Sequence, residues 1–204
     1  DDPVRLAPLR RALRPRLEQL GDPEVRRELA LELLRLGAAL DFEAMRGSKE
    51  WRTYLAVQAT FVSLTDPELR REVQAALARS EQQFIDGIAA YYEQITGSLG
   101  FRLRPDLGAT FATLAILAAA TMRGAVVVAL ALPDLMSQQL QAAPFGAPHR
   151  TDWSLPALGI ASLAMAFLEP DPTVEWTKAR ISEAGAALTA ALKAPSRPRH
   201  AQAL

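Results

Sequence analysis

An all-helical bundle is the fold this sequence predicts, on three observations. Half of the residues are hydrophobic, with Ala and Leu dominant, and those two are among the strongest helix formers. The runs of Val, Ile, Thr and Tyr that favour strands are almost absent. Apolar residues recur at helical spacing between legible helix starts, in which a capping side chain precedes proline. A chain of 204 residues suits one large domain or two merged ones, and can bury roughly 70% of its unfolded surface.

Taken in order, Leu6, Leu9, Leu13, Leu17 and Leu20 define a first helical segment from about Val4 to Leu20, broken or kinked at Pro15. Asp22-Pro23-Glu24 starts a second helix that runs to about Met45, with Val25, Leu29, Leu33, Leu36 and Leu40 on one side and Gly47 after its end. Ser48 caps a third, to about Leu64, carrying Trp51, Tyr54, Leu55, Phe61 and Val62. Thr65-Asp66-Pro67-Glu68 opens a long fourth helix to about Thr96, and Thr65 and Glu68 have capping-box spacing. Its stripe is Val73, Leu77, Phe84, Ile88, Tyr91 and Ile95.

Residues Gly97 to Pro105 read as a loop, with Asp106 as the cap of a central helix from Leu107 to Leu132 that Pro133 stops. Pro133 to Gln141 reads as a short helix, and Ala142 to Trp153, with Pro144, Gly146 and Pro148, as a loop. Two further helices are expected, Leu155 to Leu168 and Pro172 to Leu192, the second started by Asp171-Pro172. The organisation is therefore a helical lead-in over 1–46, a helical domain over 47–193 and a disordered tail over 194–204.

Charge and cysteine content exclude several functions. Twenty-three basic and 23 acidic residues cancel, so no net charge draws the chain to nucleic acid or anionic lipid. With no cysteine, disulfides, thiolate metal sites and cysteine nucleophiles are ruled out. The first turns are rich in Arg and lack the apolar core of a signal peptide, which predicts a cytoplasmic protein. The first residue is Asp1, and a segment upstream of it is expected. Leu107–Leu132 is long enough to span a bilayer. Arg123 inside it, its Ala, Gly and Thr content and its amphipathic neighbours favour a central helix of a soluble bundle, with no membrane contact.

Chemistry-bearing motifs are missing. His149 lies in a loop with Asp152 three residues on, and His200 lies in the tail without a partner, so no metal site is expected. Gly97-Ser98-Leu99-Gly100 lacks the later glycines or Gly-Lys-Ser of a phosphate loop. No Gly-x-Ser-x-Gly elbow exists, and Glu43 and Glu50, near Trp51, have no partner in sequence for acid–base work. The expectation is a protein that is not an enzyme and holds no cofactor.

The aromatic residues point instead to binding. Trp51, Tyr54 and Phe61 share one amphipathic helix, Phe84 and Tyr91 the next, and Phe111 opens the central one. They serve as core bulk, or as walls of an apolar cavity with polar tips, the usual build of a small-molecule site. Helical phase places Trp51, Tyr54, Phe61, Phe84, Ile88, Tyr91, Phe111 and Met122 on such a cavity, with Arg123 as a polar anchor. Arg123 has two readings: a core charge paired with a carboxylate, or a fork for an acidic ligand. The central helix, apolar on all faces, must be covered either by its own chain or partly by a second copy. The equally apolar helix near Leu155–Leu168 would join it in a two-helix homodimer seam through Ile116, Val127, Leu158 and Met165.

The order of features over about Gly47 to Leu192 resembles the C-terminal domain of tetracycline-repressor-type (TetR) transcription regulators. Trp51 through Pro67-Glu68-Leu69-Arg70 and a long helix carry the resemblance first. Leu103-Arg104-Pro105-Asp106 then precedes an Ala-rich helix holding Met122-Arg123-Gly124 and ending at Leu132-Pro133-Asp134. The resemblance implies a bundle with an effector pocket for a small hydrophobic molecule and a homodimer built by a C-terminal helix pair. It also implies that DNA is read only by a helix-turn-helix module, which would lie upstream of residue 1, since residues 1–46 show none. Arg10, Arg11, Arg14 and Arg16 read as a solvated face. The rival expectation is a stand-alone helical protein that binds a lipid or hydrophobic metabolite and no DNA, or a structural helical bundle with no ligand.

Overall fold

The structure, a computed structural model, describes residues 5–192. The expected tail and His200 lie outside the described residues. Eight α-helices dominate among the described residues, joined by two short antiparallel ribbons that the sequence did not predict.

Helix α1 (Ala7–Leu13) runs into a tighter 3-10 segment, Arg14–Gln19. The change falls at Pro15, which has no N–H to give the ladder. Helix α2 (Pro23–Gly47) is capped by Asp22, whose carboxylate accepts from Glu24 N. Ser48 caps α3 (Lys49–Thr60) through Trp51 N. Phe61–Ser63 is a 3-10 turn, so α3 stops four residues short of the expected Leu64. Helix α4 (Pro67–Ser98) is capped by Asp66, which accepts from Glu68 and Leu69 N; Thr65 is not the cap. Proline at the first helical position fixes the cap as the residue before it.

The central helix α5 (Phe111–Ala131) begins later than expected, with a capping box between Thr110 and Thr113. Asp106 sits in a separate 3-10 turn, Pro105–Leu107, which Gly108 ends in the left-handed region at φ 56°. A short α6 (Pro133–Met136) follows. The expected loop 142–153 instead closes a hairpin of β2 (Gln139–Ala142) and β3 (Thr151–Ser154), with Leu140 opposite Trp153. Trp153 is fully buried and stacks edge-on with Phe145 at 6.3 Å. Arg35 of α2 donates to Asp152 O. One large buried ring and a tie to α2 hold the ribbon, and neither leaves a period-two pattern in the sequence.

Ser154 caps α7 (Leu155–Phe167). The second ribbon pairs β1 (Phe101–Leu103), inside the expected loop 97–105, with β4 (Leu168–Pro170). Arg102 and Glu169, opposite each other, form an ion pair at 2.8 Å. Helix α8 (Lys178–Ala191) is capped by Thr177, whose side chain accepts from Arg180 N, and does not start at Pro172. Asp171 spends its carboxylate on Thr173 N and Oγ1, a local turn that competes with helix nucleation. Trp176 then stacks under Arg26, with 4.1 Å between guanidinium and ring.

Three apolar clusters result, the smallest joining α4 and α5 through Phe84, Ile85, Ile88, Ala115 and Ala119. Of the two larger ones, one gathers Leu9, Leu13, Leu20, Leu29, Leu99, Leu188 and Leu192, joining α1, α2, α4 and α8. The other joins α2, α5 and α7 through Phe42, Met45, Met122, Val126, Trp153 and Ile160. Residues before Gly47 thus pack into the same core as the rest. Helix α5 buries Leu114, Ala115, Ala118, Ala119, Met122, Val126 and Ala129. Its opposite face is open: Ile116, Leu117, Val127, Val128 and Leu130 are exposed. The described residues alone therefore leave this face of the all-apolar helix uncovered. By length and composition α5 is also long and apolar enough to cross a membrane, the one such helix among the described residues.

Candidate functional site

An elongated cavity of about 460 Å³ lies between α2 and α4, roofed by α5 and α7. At one end it meets Leu9, Leu99, Leu188 and Leu192; at the other, Trp51, Phe84, Met122 and Arg123. Helical periodicity builds both long walls. Helix α4 presents Phe84, Ile88, Tyr91, Ile95 and Leu99, and α2 presents Ala30, Leu33, Leu34, Gly37, Ala38 and Asp41. Small residues make the room: Gly37 has open space where a side chain would stand, and Ala38, Ala118 and Ala119 border the void. A space of this size, mostly apolar with few polar groups, is typical of small-molecule sites.

Polar groups converge beside the Arg123 end. Arg123 Nη2 donates to Glu81 of α4 at 2.8 and 2.9 Å, reaching both carboxylate oxygens. The Tyr54 hydroxyl donates to Glu81 at 3.0 Å, and Gln58 Nε2 donates to both Glu81 and the Tyr54 oxygen at 3.2 Å. The guanidinium also lies over the rings of Phe84 and Trp51, at 5.4 and 5.7 Å, where the electron-rich faces attract a cation. Trp51 meets Tyr54 and Phe84 edge-on at 5.9 and 5.7 Å. Burial pushes the Tyr54 phenol above its ordinary pKa, and the Glu81 charge and hydrogen bond add to that. Arg123 is only 16% exposed, and its Nε is buried with no acceptor within the protein.

Six of the nine residues placed on a cavity by helical phase border this one: Trp51, Phe84, Ile88, Tyr91, Met122 and Arg123. Three do not. Tyr54 is buried behind Trp51 as a donor to Glu81. Phe61 begins the 3-10 turn after α3, and Phe111 is the first residue of α5. Of the four residues assigned to a dimer seam, Ile116 and Val127 are exposed, at 54% and 53%. Leu158 packs against the α2–α5–α7 core and Met165 borders the cavity, and both are half-buried.

Sequence reasoning missed Glu81, Gln58 and the whole α2 wall. Glu81 had a signal: it interrupts the α4 stripe between Leu77 and Phe84, at spacings of four and three. A lone carboxylate on a buried stripe needs a cation, and Arg123 is the charge that interrupts α5 in the same way. Both readings of Arg123 thus describe one side chain, paired with a carboxylate and bordering the cavity. No group of three or more His, Cys, Asp or Glu side chains among the described residues could hold a metal ion. The chain matches no protein-family model, no curated protein and no solved structure.

Proposed function

We propose that this chain is the effector-binding and dimerisation part of a TetR-like transcription regulator, sensing a small, mostly apolar molecule. The observation that carries the reading is the two-sidedness of α5. Leu114, Ala118, Met122 and Arg123 border the cavity, while Ile116, Ala120, Gly124 and Val127 form an uncharged stripe on the outer face. One rigid helix therefore joins a ligand site to a surface suited to a second copy. A ligand that favours one position of α5 would bias the geometry of the dimer. In this reading DNA is contacted only by a helix-turn-helix module upstream of residue 1, whose spacing across the dimer the ligand changes.

The stripe supports a homodimer on physical grounds. Ile116, Ala120, Gly124 and Val127 recur at spacings of three and four, so they share one face. The small Ala120 and Gly124 at its centre let two helices approach closely, and exposed apolar surface such as Ile116 and Val127 is a common mark of an interface. The rival, a stand-alone binder of a lipid or hydrophobic metabolite, keeps the cavity but needs no second copy.

Light scattering on the chain across a dilution series separates the two. The regulator reading expects a dimer that persists to low concentration, and a monomer of unchanged helicity when Ile116→Glu is combined with Val127→Glu. A native chain that is monomeric throughout would remove the support for a regulator and leave the stand-alone binder.

A further inference from the structure

We infer that the second copy of this chain lies antiparallel along α5 and crosses it at Ala120 and Gly124, so that Ile116 packs against the partner's Val127 and Leu117 against the partner's Val128. The inference rests on the homodimer reading and adds the orientation and register of the partner.

The seam narrows to one helix. Five large apolar residues of α5 are exposed and none of α7 is, where the exposed residues are Ser162 and Ala166. On α5, Ile116, Leu117, Ala120, Gly124, Val127 and Val128 are exposed, share one face and carry no charge. Leu130 stands outside this set, with the exposed Leu132 and Leu135 at the end of the helix. Along the face the sizes run bulky, bulky, small, small, bulky, bulky, and so read alike in both directions. A two-fold interface demands such self-complementarity, because where one residue meets a second, the second must meet the first. Turned about its middle, near Met122, the face sets Ile116 opposite Val127, Leu117 opposite Val128 and Ala120 opposite Gly124. Each pair then matches in height to within about 1.5 Å, one residue's rise.

Bulk and dipoles choose the orientation. Ile116 and Leu117 are each a methylene larger than Val127 and Val128. A parallel pair would double the larger residues at one end and the smaller at the other. An antiparallel pair puts one of each at both ends, and the seam closes evenly to the density that packed interiors show. Helix dipoles side by side repel when parallel and attract when antiparallel.

The waist identifies the occupant as a helix. Ala120 and Gly124 let two backbones approach closely, whereas a lipid surface would gain more from bulk at the same place. Packing within the protomer does not ask for the glycine, since a Cβ at Gly124 would meet nothing within 4 Å. Glycine inside a helix costs stability, and a close crossing partner is what offsets it.

The chain has no cysteine, which makes cross-linking a clean test. Ile116→Cys and Val127→Cys are prepared separately and oxidised, each alone and as an equimolar mixture after subunit exchange, then run on a non-reducing gel. Expected is a disulfide-linked dimer in the mixture and little in either variant alone. In the antiparallel seam each introduced thiol stands about 16 Å from its own copy, beyond disulfide reach. Variants that each link to themselves would overturn the orientation and leave the homodimer reading standing. So would a dimer by light scattering that no combination links. A monomer by light scattering would overturn both, and its binding to phosphatidylcholine vesicles would make a lipid surface the occupant. Ala120→Leu needs no cysteine and adds bulk at an exposed position with a good helix former. Filling the waist should raise the dimer's dissociation constant about tenfold or more at unchanged helicity. An unchanged or lower constant would overturn the crossing at Ala120 and Gly124.

Discussion

Tyr54 shows how a residue can be read for type and misread for role. Its position on the apolar phase of α3 marked it as buried, which it is, at 3% exposure. Its phase could not show that the hydroxyl reaches Glu81, 27 positions along the chain. The consequence is a pH dependence whose sign follows from the shift. The folded phenol is held above the ordinary 10.0, first by burial and then by Glu81. A folded pKa raised above the unfolded one gives stability that is fully present below the unfolded value and lost as pH rises through the folded value. The urea midpoint should therefore fall above about pH 10, and Tyr54→Phe should fall less steeply there. At neutral pH the same variant should be less stable by about 0.5–1.5 kcal/mol, because Glu81 loses a donor. Equal alkaline slopes in the two proteins would show that this phenol is not the group responsible. Arg123 and Glu81 carry the same lesson. Each was visible as a charge breaking an apolar stripe, but their pairing depends on how α4 and α5 pack, which no local pattern contains.

At the scale of elements, the legible parts were those whose cause is local. Asp22, Ser48 and the proline-led start of α4 fix helix beginnings within a residue or two, because a cap is satisfied by its own neighbours. The ribbons and the late start of α8 were hidden because their causes are distant. The β1–β4 pair joins residues 67 apart through Arg102 and Glu169, and the segment before α8 is held by Trp176. Gly100 is the position where this arrangement is tightest. It has φ +71°, and a Cβ added there would stand 2.6 Å from a Trp176 ring carbon. Gly100→Ala should therefore destabilise twice over, through the left-handed backbone and through the displaced indole. The expected cost exceeds about 1 kcal/mol, lowering Tm by at least about 2–4 °C for a chain of this size. Tryptophan emission should change with it as Trp176 leaves Arg26. A variant with native Tm and emission would mean that Trp176 is not packed against Gly100.

For the whole molecule, the question is whether the cavity and the exposed face of α5 act as one device. Ile116 and Val127 are 11 residues apart, about three turns, and lie on one face. Met122 and Arg123 lie between them on the face that meets the cavity. No flexible joint separates the two faces, because they are sides of one 21-residue helix. A shift of α5 on ligand entry must then move both, as packed interfaces have discrete arrangements and do not deform smoothly. Linkage makes this measurable without DNA. If ligand changes the dimer's dissociation constant by some factor, dimerisation changes ligand affinity by the same factor, typically about 5–150-fold. On the proposed homodimer, an apolar probe that occupies the cavity should therefore show affinity for the unsubstituted chain that differs by such a factor from its affinity for the Ile116→Glu/Val127→Glu variant. The two substitutions sit on the outer face and touch no cavity wall, so a difference cannot come from lost ligand contacts. Saturating probe should in turn move the proposed dimer's dissociation midpoint by the same ratio. Equal affinities, with a midpoint indifferent to the probe, would separate the two faces energetically. The cavity would then belong to a binder whose self-association, if any, carries no signal.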